Sequence, residues 1–198
     1  MKKLLITGFE PFGGEEMNPS WEAVSRLPDE IGGYTLTKLR IPVVFGKAAE
    51  AVLAKGAEIS PDVILCVGQA GGRTAITPEL VAINLRHAKI PDNEGQQPKD
   101  EPIFPDENCA YFSTLPVRQM AEAVNALGIA SQVSYSAGAY VCNDLLYTLL
   151  HRYQNTQTKV GFVHIPYSKE QGKEPAMELT DMIKGLTVAI ENMETENK

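Results

Sequence analysis

The chain has no excess of basic residues. It carries 18 Lys and Arg against 25 Asp and Glu, a formal charge of −7. No basic stripe is available to neutralise a phosphate backbone, which argues against nucleic acid as a partner. Cysteine is scarce. Cys66, Cys109 and Cys142 form no Cys-x-x-Cys pair, and an odd count of 3 fits a disulfide framework poorly. A reduced, cytoplasmic protein is the expectation. Long apolar runs are also missing. No stretch approaches the roughly 18 residues of a membrane helix. The apolar run at the N-terminus stops at Ile6, before Thr7 and Gly8, which is too short for the core of a signal peptide. The sequence contains no Walker A loop, no G-x-G-x-x-G, no H-E-x-x-H and no G-x-S-x-G, so nucleotide, zinc-peptidase and serine-hydrolase signatures are absent.

What is present is the make-up of a globular protein. The hydrophobic share is 43% and the charged share 22% over 198 residues, which excludes wholesale disorder. The length suits one compact domain over residues 1–198, with two small ones possible, and is large enough to bury a full core. Strand-like and helix-like patterns alternate. Leu4–Ile6, Tyr34–Ile41, Asp62–Val67, Glu79–Leu85, Gln132–Tyr135 and Lys159–Ile165 read as strands. Trp21–Leu27, Lys47–Lys55, Val117–Leu127, Cys142–Tyr153 and Pro175 to about Met193 read as helices. Asn18 or Ser20 supplies the cap of the first, and Pro175 is placed in the first turn of the last. DVILCV, at 62–67, is nearly all apolar, the pattern of a strand covered on both faces. This alternation predicts a mainly parallel sheet with helices on both sides. Residues 90–108, rich in Pro, Asp, Asn and Gln, form a long aperiodic loop that reads equally as a functional segment or as a surface excursion used in subunit contacts.

In open α/β sheets the site forms beyond the carboxyl ends of the strands. Cys142 follows the small-residue turn SAGA and is expected in the first turn of a helix. Helix N–H groups there favour a thiolate and can hold an oxyanion. The bland reading is a small buried hydrophobe. Cys66 lies mid-strand and reads as core. Cys109 has no activating neighbour in sequence. His164 ends an apolar strand, where a general base could stand, whereas His87 and His151 read as surface residues. A third group must orient the imidazole, and Glu79 competes for that role with many other acids. Phe9 and Phe12 in the turn GFEPFGG wall a small pocket or plug the core.

Taken together, TGFEPFGG (7–14), NPSWEAV (18–24), GQAGGR with ITPE (68–73 and 76–79), VAIN (81–84), IPDNEG (90–95), VSYSAGAYVCN (133–143) and HIPY (164–167) resemble the pyroglutamyl peptidase I family, also called pyrrolidone carboxyl peptidases. The resemblance implies a cysteine exopeptidase that removes N-terminal pyroglutamyl (5-oxoprolyl) residues from peptides through an acyl-enzyme. It places the nucleophile on Cys142, the base on His164 and the orienting acid on Glu79. It places the substrate pocket on Phe9, Phe12, Gln69, Tyr140 and Val141. The implied fold is a three-layer α/β/α sandwich with a mixed, mainly parallel open sheet, similar to nucleoside phosphorylases. No metal or other cofactor, a homotetramer and a cytoplasmic location follow from the same resemblance, while the expectation of neither membrane nor nucleic-acid partners rests on the charge and the short apolar runs. Two positions depart from the family pattern. Leu80 follows Glu79, and Lys89 precedes IPDN, where arginine is usual; lysine keeps the charge but loses the planar fork. The competing reading is a phosphorylase-like nucleoside enzyme or a non-catalytic binding protein of the same fold, with an anion site built on GGR at 71–73.

Overall fold

The computed structural model describes residues 1–194. In chain order the elements are β1 (Lys2–Phe9), α1 (Pro19–Ser25), β2 (Glu30–Ile31), β3 (Tyr34–Ile41), α2 (Lys47–Ile59), β4 (Val63–Gln69), β5 (Thr77–Pro78), β6 (Val81–Ile83), β7 (Ala110–Phe112), α3 (Val117–Ala126), α4 (Val141–Tyr153), β8 (Lys159–Ile165), β9 (Tyr167–Ser168), β10 (Ala176–Met177) and α5 (Leu179–Glu191). A short 3₁₀ turn, Lys169–Gln171, follows β9.

The main sheet has the order β2-β3-β1-β4-β8-β5. Its four central strands are parallel, and the short edge strands β2 and β5 are antiparallel to their neighbours. Strand periodicity sends successive side chains to opposite faces. Leu4, Ile6, Val63, Leu65, Val67, Val163 and Ile165 pack with α1, α3 and α5 on one face. Leu5, Phe9, Ile64, Cys66, Val160 and Phe162 pack with α2 and α4 on the other. The result is the expected three-layer α/β/α arrangement with a mixed, mainly parallel sheet. A Cβ at Gly8 would come within 2.6 Å of the Trp21 backbone, so α1 can lie against β1 only because residue 8 has no side chain.

Asn18 is the cap of α1, its side chain accepting from the Ser20 N–H at 3.1 Å. Three expectations are corrected. Glu79–Leu85 is not one strand. β5 pairs with β8, the chain then leaves the sheet at Glu79 and Leu80, and β6 pairs with β7 in a separate ribbon. Pro78 is tolerated because β5 is an edge. Gln132–Tyr135 is not a strand. It runs beside the short β5 and makes only isolated bridges, Ile76 with Ser131 and Glu79 with Ser134. Pro175 does not open the last helix. It follows a cis peptide and leads into β10, which pairs with β9, and the helix starts at Leu179.

The segment 90–108 folds back on the molecule. Buried Asp92 accepts from the Phe45 N–H at 3.0 Å, and Asn93 Nδ2 donates to the Glu10 carboxylate and the Pro11 carbonyl, both at 2.9 Å. The Asn84 carboxamide oxygen accepts from the N–H groups of Ile103 and Phe104. Its first part is therefore tied to the turn that carries Phe9 and Phe12.

Candidate active site

β8 delivers His164 at its carboxyl end, and the residue is 3% exposed. The ring lies 4.7 Å from the Phe162 ring, on the sheet face that α4 covers. The backbone of Glu79 hangs from the same strand, its N–H donating to the Phe162 carbonyl at 2.9 Å. This sends the carboxylate inward, fully buried, with Oε1 2.7 Å from His164 Nδ1. A carboxylate can only accept, so Nδ1 carries the proton and Nε2 is left free to take another.

Arg73 completes the back of this pair. Its Nη1 donates to Glu79 Oε1 at 2.6 Å and also to the Thr77 hydroxyl, and its Nη2 donates to the Ser136 carbonyl at 3.0 Å. Among the described residues Glu79 Oε2 is buried without a hydrogen bond of ordinary geometry, and the neighbouring Ser134 side chain helps to hold the carboxyl down. Burial pushes the Glu79 carboxyl up, but the hydrogen bond and charge of His164, with the Arg73 charge, outweigh it and hold the group below its ordinary value. Burial pushes His164 down, and the Glu79 hydrogen bond only partly offsets this. The resting pair is an ionised carboxylate and a neutral imidazole.

Cys142 is the second residue of α4. Its position relative to His164 follows from Gly68. Gly68 pairs with His164 in the β4–β8 register. A Cβ at Gly68 would lie 3.1 Å from Cys142 Sγ and 2.7 Å from the Phe162 ring. The sulfur thus rests over the rung of the sheet whose other half is the histidine, and any side chain at residue 68 would displace it. The thiol keeps some open surface. Protein nonetheless surrounds it closely: burial, reinforced by the Glu79 charge, pushes it up to about 12, against the opposing pull of Arg73. At the helix start that the sequence offers for a thiolate, burial opposes ionisation of the sulfur and is the larger influence on it.

Beside the sulfur is a cavity of about 40 Å³ lined by Phe9, Phe12, Asn18, Val43, Gln69, Tyr140 and Cys142. That is room for roughly three waters, the scale of one small ring, and no ionisable carboxylate or cation lines it. Tyr140 packs edge-on against Phe45 at 5.3 Å and donates its hydroxyl to the Pro91 carbonyl at 3.0 Å. Ser20 Oγ accepts the Phe9 N–H at 2.9 Å, and Asn18 Nδ2 donates to the Glu10 carbonyl at 3.0 Å. Four of the five expected pocket residues meet here. Val141 does not, because its side chain is fully buried in the core beneath α4. Asn18 and Val43 are walls that sequence reasoning missed; Asn18 had been read only as a cap. A larger cavity of about 440 Å³, around Leu53, Gly56 and Tyr153, lies beyond the amino ends of β4 and β8, away from this chemistry.

Two buried polar residues follow Cys142. Asn143 Oδ1 accepts the Ile83 N–H at 2.9 Å, and its Nδ2 donates to the Ile83 and Leu85 carbonyls. Asp144 accepts from Arg86 Nε at 2.6 Å and from the Gly46 N–H at 2.9 Å. They pin the start of α4 to neighbouring loops. Their only sequence signal was polarity on the buried face of a helix. Cys66 is buried and pushed up to about 12 by burial. Cys109 is exposed. His87 pairs with exposed Asp100, while His151 is half-buried against Phe104 and Tyr111, a correction to its surface reading. Lys89 is exposed beside an apolar groove with Ile83, Leu85 and Ile90. Among the described residues no cluster of His, Cys, Asp and Glu could hold a metal, and no helix is long and apolar enough to cross a membrane.

A thiol over a sheet rung shared with an acid-oriented histidine, at the carboxyl ends of a parallel sheet, defines a cysteine hydrolase of the α/β class. The comparisons give the family. The pyroglutamyl peptidase family model matches residues 2–196. The pyrrolidone-carboxylate peptidase of Levilactobacillus brevis is 52% identical over 194 residues, 95% of this chain and 95% of the relative. The crystal structure of Bacillus amyloliquefaciens pyroglutamyl peptidase I superposes with a TM-score of 0.93 at 44% identity, covering 98% of this chain and 97% of that one. A variant of the pyrrolidone carboxyl peptidase of Pyrococcus furiosus gives a TM-score of 0.91 at 41% identity, with 96% and 97% covered. The chain belongs to the pyroglutamyl peptidase family.

Proposed function

We propose that this chain is a cysteine exopeptidase that releases N-terminal pyroglutamate from peptides, with Cys142 as nucleophile, His164 as base and Glu79 as the acid that orients it. The observation that carries the reading is the 2.7 Å Glu79–His164 pair beneath a thiol that opens onto a small uncharged cavity. An ordinary amino terminus is an ammonium and would call for a carboxylate in the pocket. The pyroglutamyl lactam is neutral, and a slot of aromatic walls with the amides of Asn18 and Gln69 suits it.

In the proposed reaction the Cys142 proton passes to His164 Nε2 as sulfur bonds to the carbonyl carbon that follows the lactam ring. The oxyanion faces the unpaired N–H groups at the start of α4. The intermediate collapses as the C–N bond breaks, and the leaving amine takes the proton from Nε2. Water then attacks the thioester, giving its proton to Nε2, and sulfur leaves with that proton as 5-oxoproline is released. Buried and ionised, Glu79 stabilises the imidazolium that exists between these steps. Assembly as a homotetramer and a cytoplasmic location belong to the same reading. Exposed Phe112 and Ile83 on the β6–β7 ribbon support burial against another copy. The phosphorylase-like alternative needs a free cation in GGR, and Arg73 is already paired with Glu79. Hydrolysis of a pyroglutamyl-aminocoumarin substrate, with and without thiol alkylation, tests the proposal. Release of the fluorophore that alkylation abolishes supports it, and no release would refute it.

A further inference from the structure

The segment after β9 crosses the pocket end of the sheet and is held there by Gln171. The orientation of its carboxamide is fixed by its partners. Gln171 Oε1 accepts the Ser168 N–H at 3.0 Å, a bond that only the oxygen can make. Its Nε2 therefore points the other way. There it donates to Gln69 Oε1 at 3.0 Å and to Glu15 Oε2 at 3.3 Å. Glu15 is held in turn by Lys173, which ion-pairs with its other oxygen. Each of these contacts has a single allowed donor direction, and the direction is passed on. Gln69 must present its oxygen to Gln171, so its NH₂ is turned away from the segment after β9. Gln69 lines the cavity beside Cys142, and among the described residues its Nε2 has no hydrogen-bond partner.

We propose that Gln171 is a positioning and specificity residue: it fixes the Gln69 amide so that an N–H donor faces the pocket and selects a ring bearing a carbonyl acceptor. This rests on the reading of the cavity as the pyroglutamyl pocket. A free glutamine amide turns over at little cost and would offer the pocket an oxygen as readily as a donor. The lactam of pyroglutamate carries a ring carbonyl that matches the donor and would be repelled by the oxygen. Proline has no such carbonyl, so it gains nothing from the donor. The relay therefore acts on lactam binding and leaves the sulfur and imidazole untouched.

The experiment compares the wild type with Gln171→Met, Gln69→Met and the double variant. Readouts are KM for pyroglutamyl-aminocoumarin, the inhibition constant of 2-pyrrolidone, and the rate of Cys142 alkylation by iodoacetamide. Gln171→Met keeps the volume and removes the donor. It is expected to raise KM and the pyrrolidone constant about tenfold, the effect of one lost hydrogen bond of ~1.4 kcal/mol, with alkylation unchanged. In the Gln69→Met background the same change is expected to do nothing further, since Gln171 acts only through Gln69. Gln171→Glu keeps an acceptor for Ser168 but offers only oxygens to Gln69, so the amide turns round and KM rises further than in Gln171→Met. An unchanged KM in Gln171→Met, or losses that multiply in the double variant, would overturn the relay. Should Gln171→Met fail to fold, an unchanged KM in Gln171→Glu overturns it instead. A wild type that leaves the substrate intact overturns the reading of the site, and the relay with it.

Discussion

The two faces of the central sheet bury different things. Under α1, α3 and α5 the buried side chains are apolar along nearly the whole face, from Leu4 and Ile6 through Leu65 and Val163 to Leu186 and Ile190, and the polar ones at its margin, Asn18, Ser20 and Ser131, are uncharged and hydrogen-bonded. Under α2 and α4 the face starts the same way, with Leu5, Ile64, Phe162 and Leu145. It turns polar at the carboxyl ends of the strands, where His164, Asn143 and Asp144 are buried and Glu79 joins them. A face that only holds the molecule together needs no polar groups. A face that handles a proton must bury polar groups and pair nearly every atom of them, and among the described residues Glu79 Oε2 and the Thr7 hydroxyl are the exceptions. The polar face also holds two thiols that burial treats alike, since Cys66 and Cys142 are both pushed up to about 12. What separates them is position: Cys142 opens onto the cavity over the His164 rung, and Cys66 is sealed in β4. Access to the histidine, and not the burial that both thiols share, is what sets Cys142 apart as the candidate nucleophile.

Cys142→Ser should break the comparison most severely. Turnover is expected to fall by more than about 10³-fold, with the circular dichroism spectrum unchanged. Cys66→Ser, on the same face, should keep most of the activity; equal losses would erase the distinction between the two thiols. Glu79→Gln comes next. Loss of the orienting charge is expected to cost about 10²–10⁴-fold in kcat, while the protein still reacts with an alkylating agent. Retention of full kcat would remove Glu79 from the site.

Arg73→Gln should be milder and informative about pH. Protonated His164 cannot accept the thiol proton, so kcat/KM falls on the acid side. Burial holds His164 below its ordinary 6.5, which places the wild-type limb below that value. The thiol at about 12 gives no alkaline limb near ~8.5, where an ordinary thiol titrates. The Arg73 charge also lowers the histidine, so its loss should move the acid limb upward with a cost of about tenfold or less in kcat. An unmoved limb would leave Arg73 as scaffolding.

The smallest kinetic effect belongs to the apolar face. Leu186→Ala should lower stability by about 2–5 kcal/mol, read from the urea midpoint, with kcat and KM unchanged below the transition. Stability also carries a sign with pH. Both His164 and Glu79 bind protons less readily folded than unfolded, since both are lowered from 6.5 and 4.5. The unfolded chain therefore takes up protons first as pH falls, and stability declines from about pH 6.5 downward. A Tm that rises between pH 6.5 and 4.5 would contradict these shifts.

The parts of the fold set by local pattern were legible in the chain. The Tyr34–Ile41 and Lys159–Ile165 strands coincide with the structure residue for residue, because their residue types and bounding turns mark them. Elements set by a partner far along the chain were not legible. The break at Glu79 depends on the Phe162 carbonyl. The extended path of Pro175 depends on pairing with Tyr167 and Ser168. The site divides the same way. Cys142 and His164 stand at element ends that the alternation of strands and helices picks out. Glu79 could be chosen from the residues only through the family resemblance, since its link to His164 spans 85 positions. Arg73 carries no sequence mark of an acid partner, and Gln171 none of its bond to Gln69, 102 positions away.

The most direct test of the central claim uses the chain carrying Cys66→Ser and Cys109→Ser, in which Cys142 is the sole thiol. Its hydrolysis of pyroglutamyl-aminocoumarin is followed while iodoacetamide is added and the label is located by mass spectrometry. The account predicts an active starting protein whose activity falls in proportion to labelling of Cys142, reaching zero when that thiol is fully modified. Turnover that survives complete modification of Cys142 would contradict it.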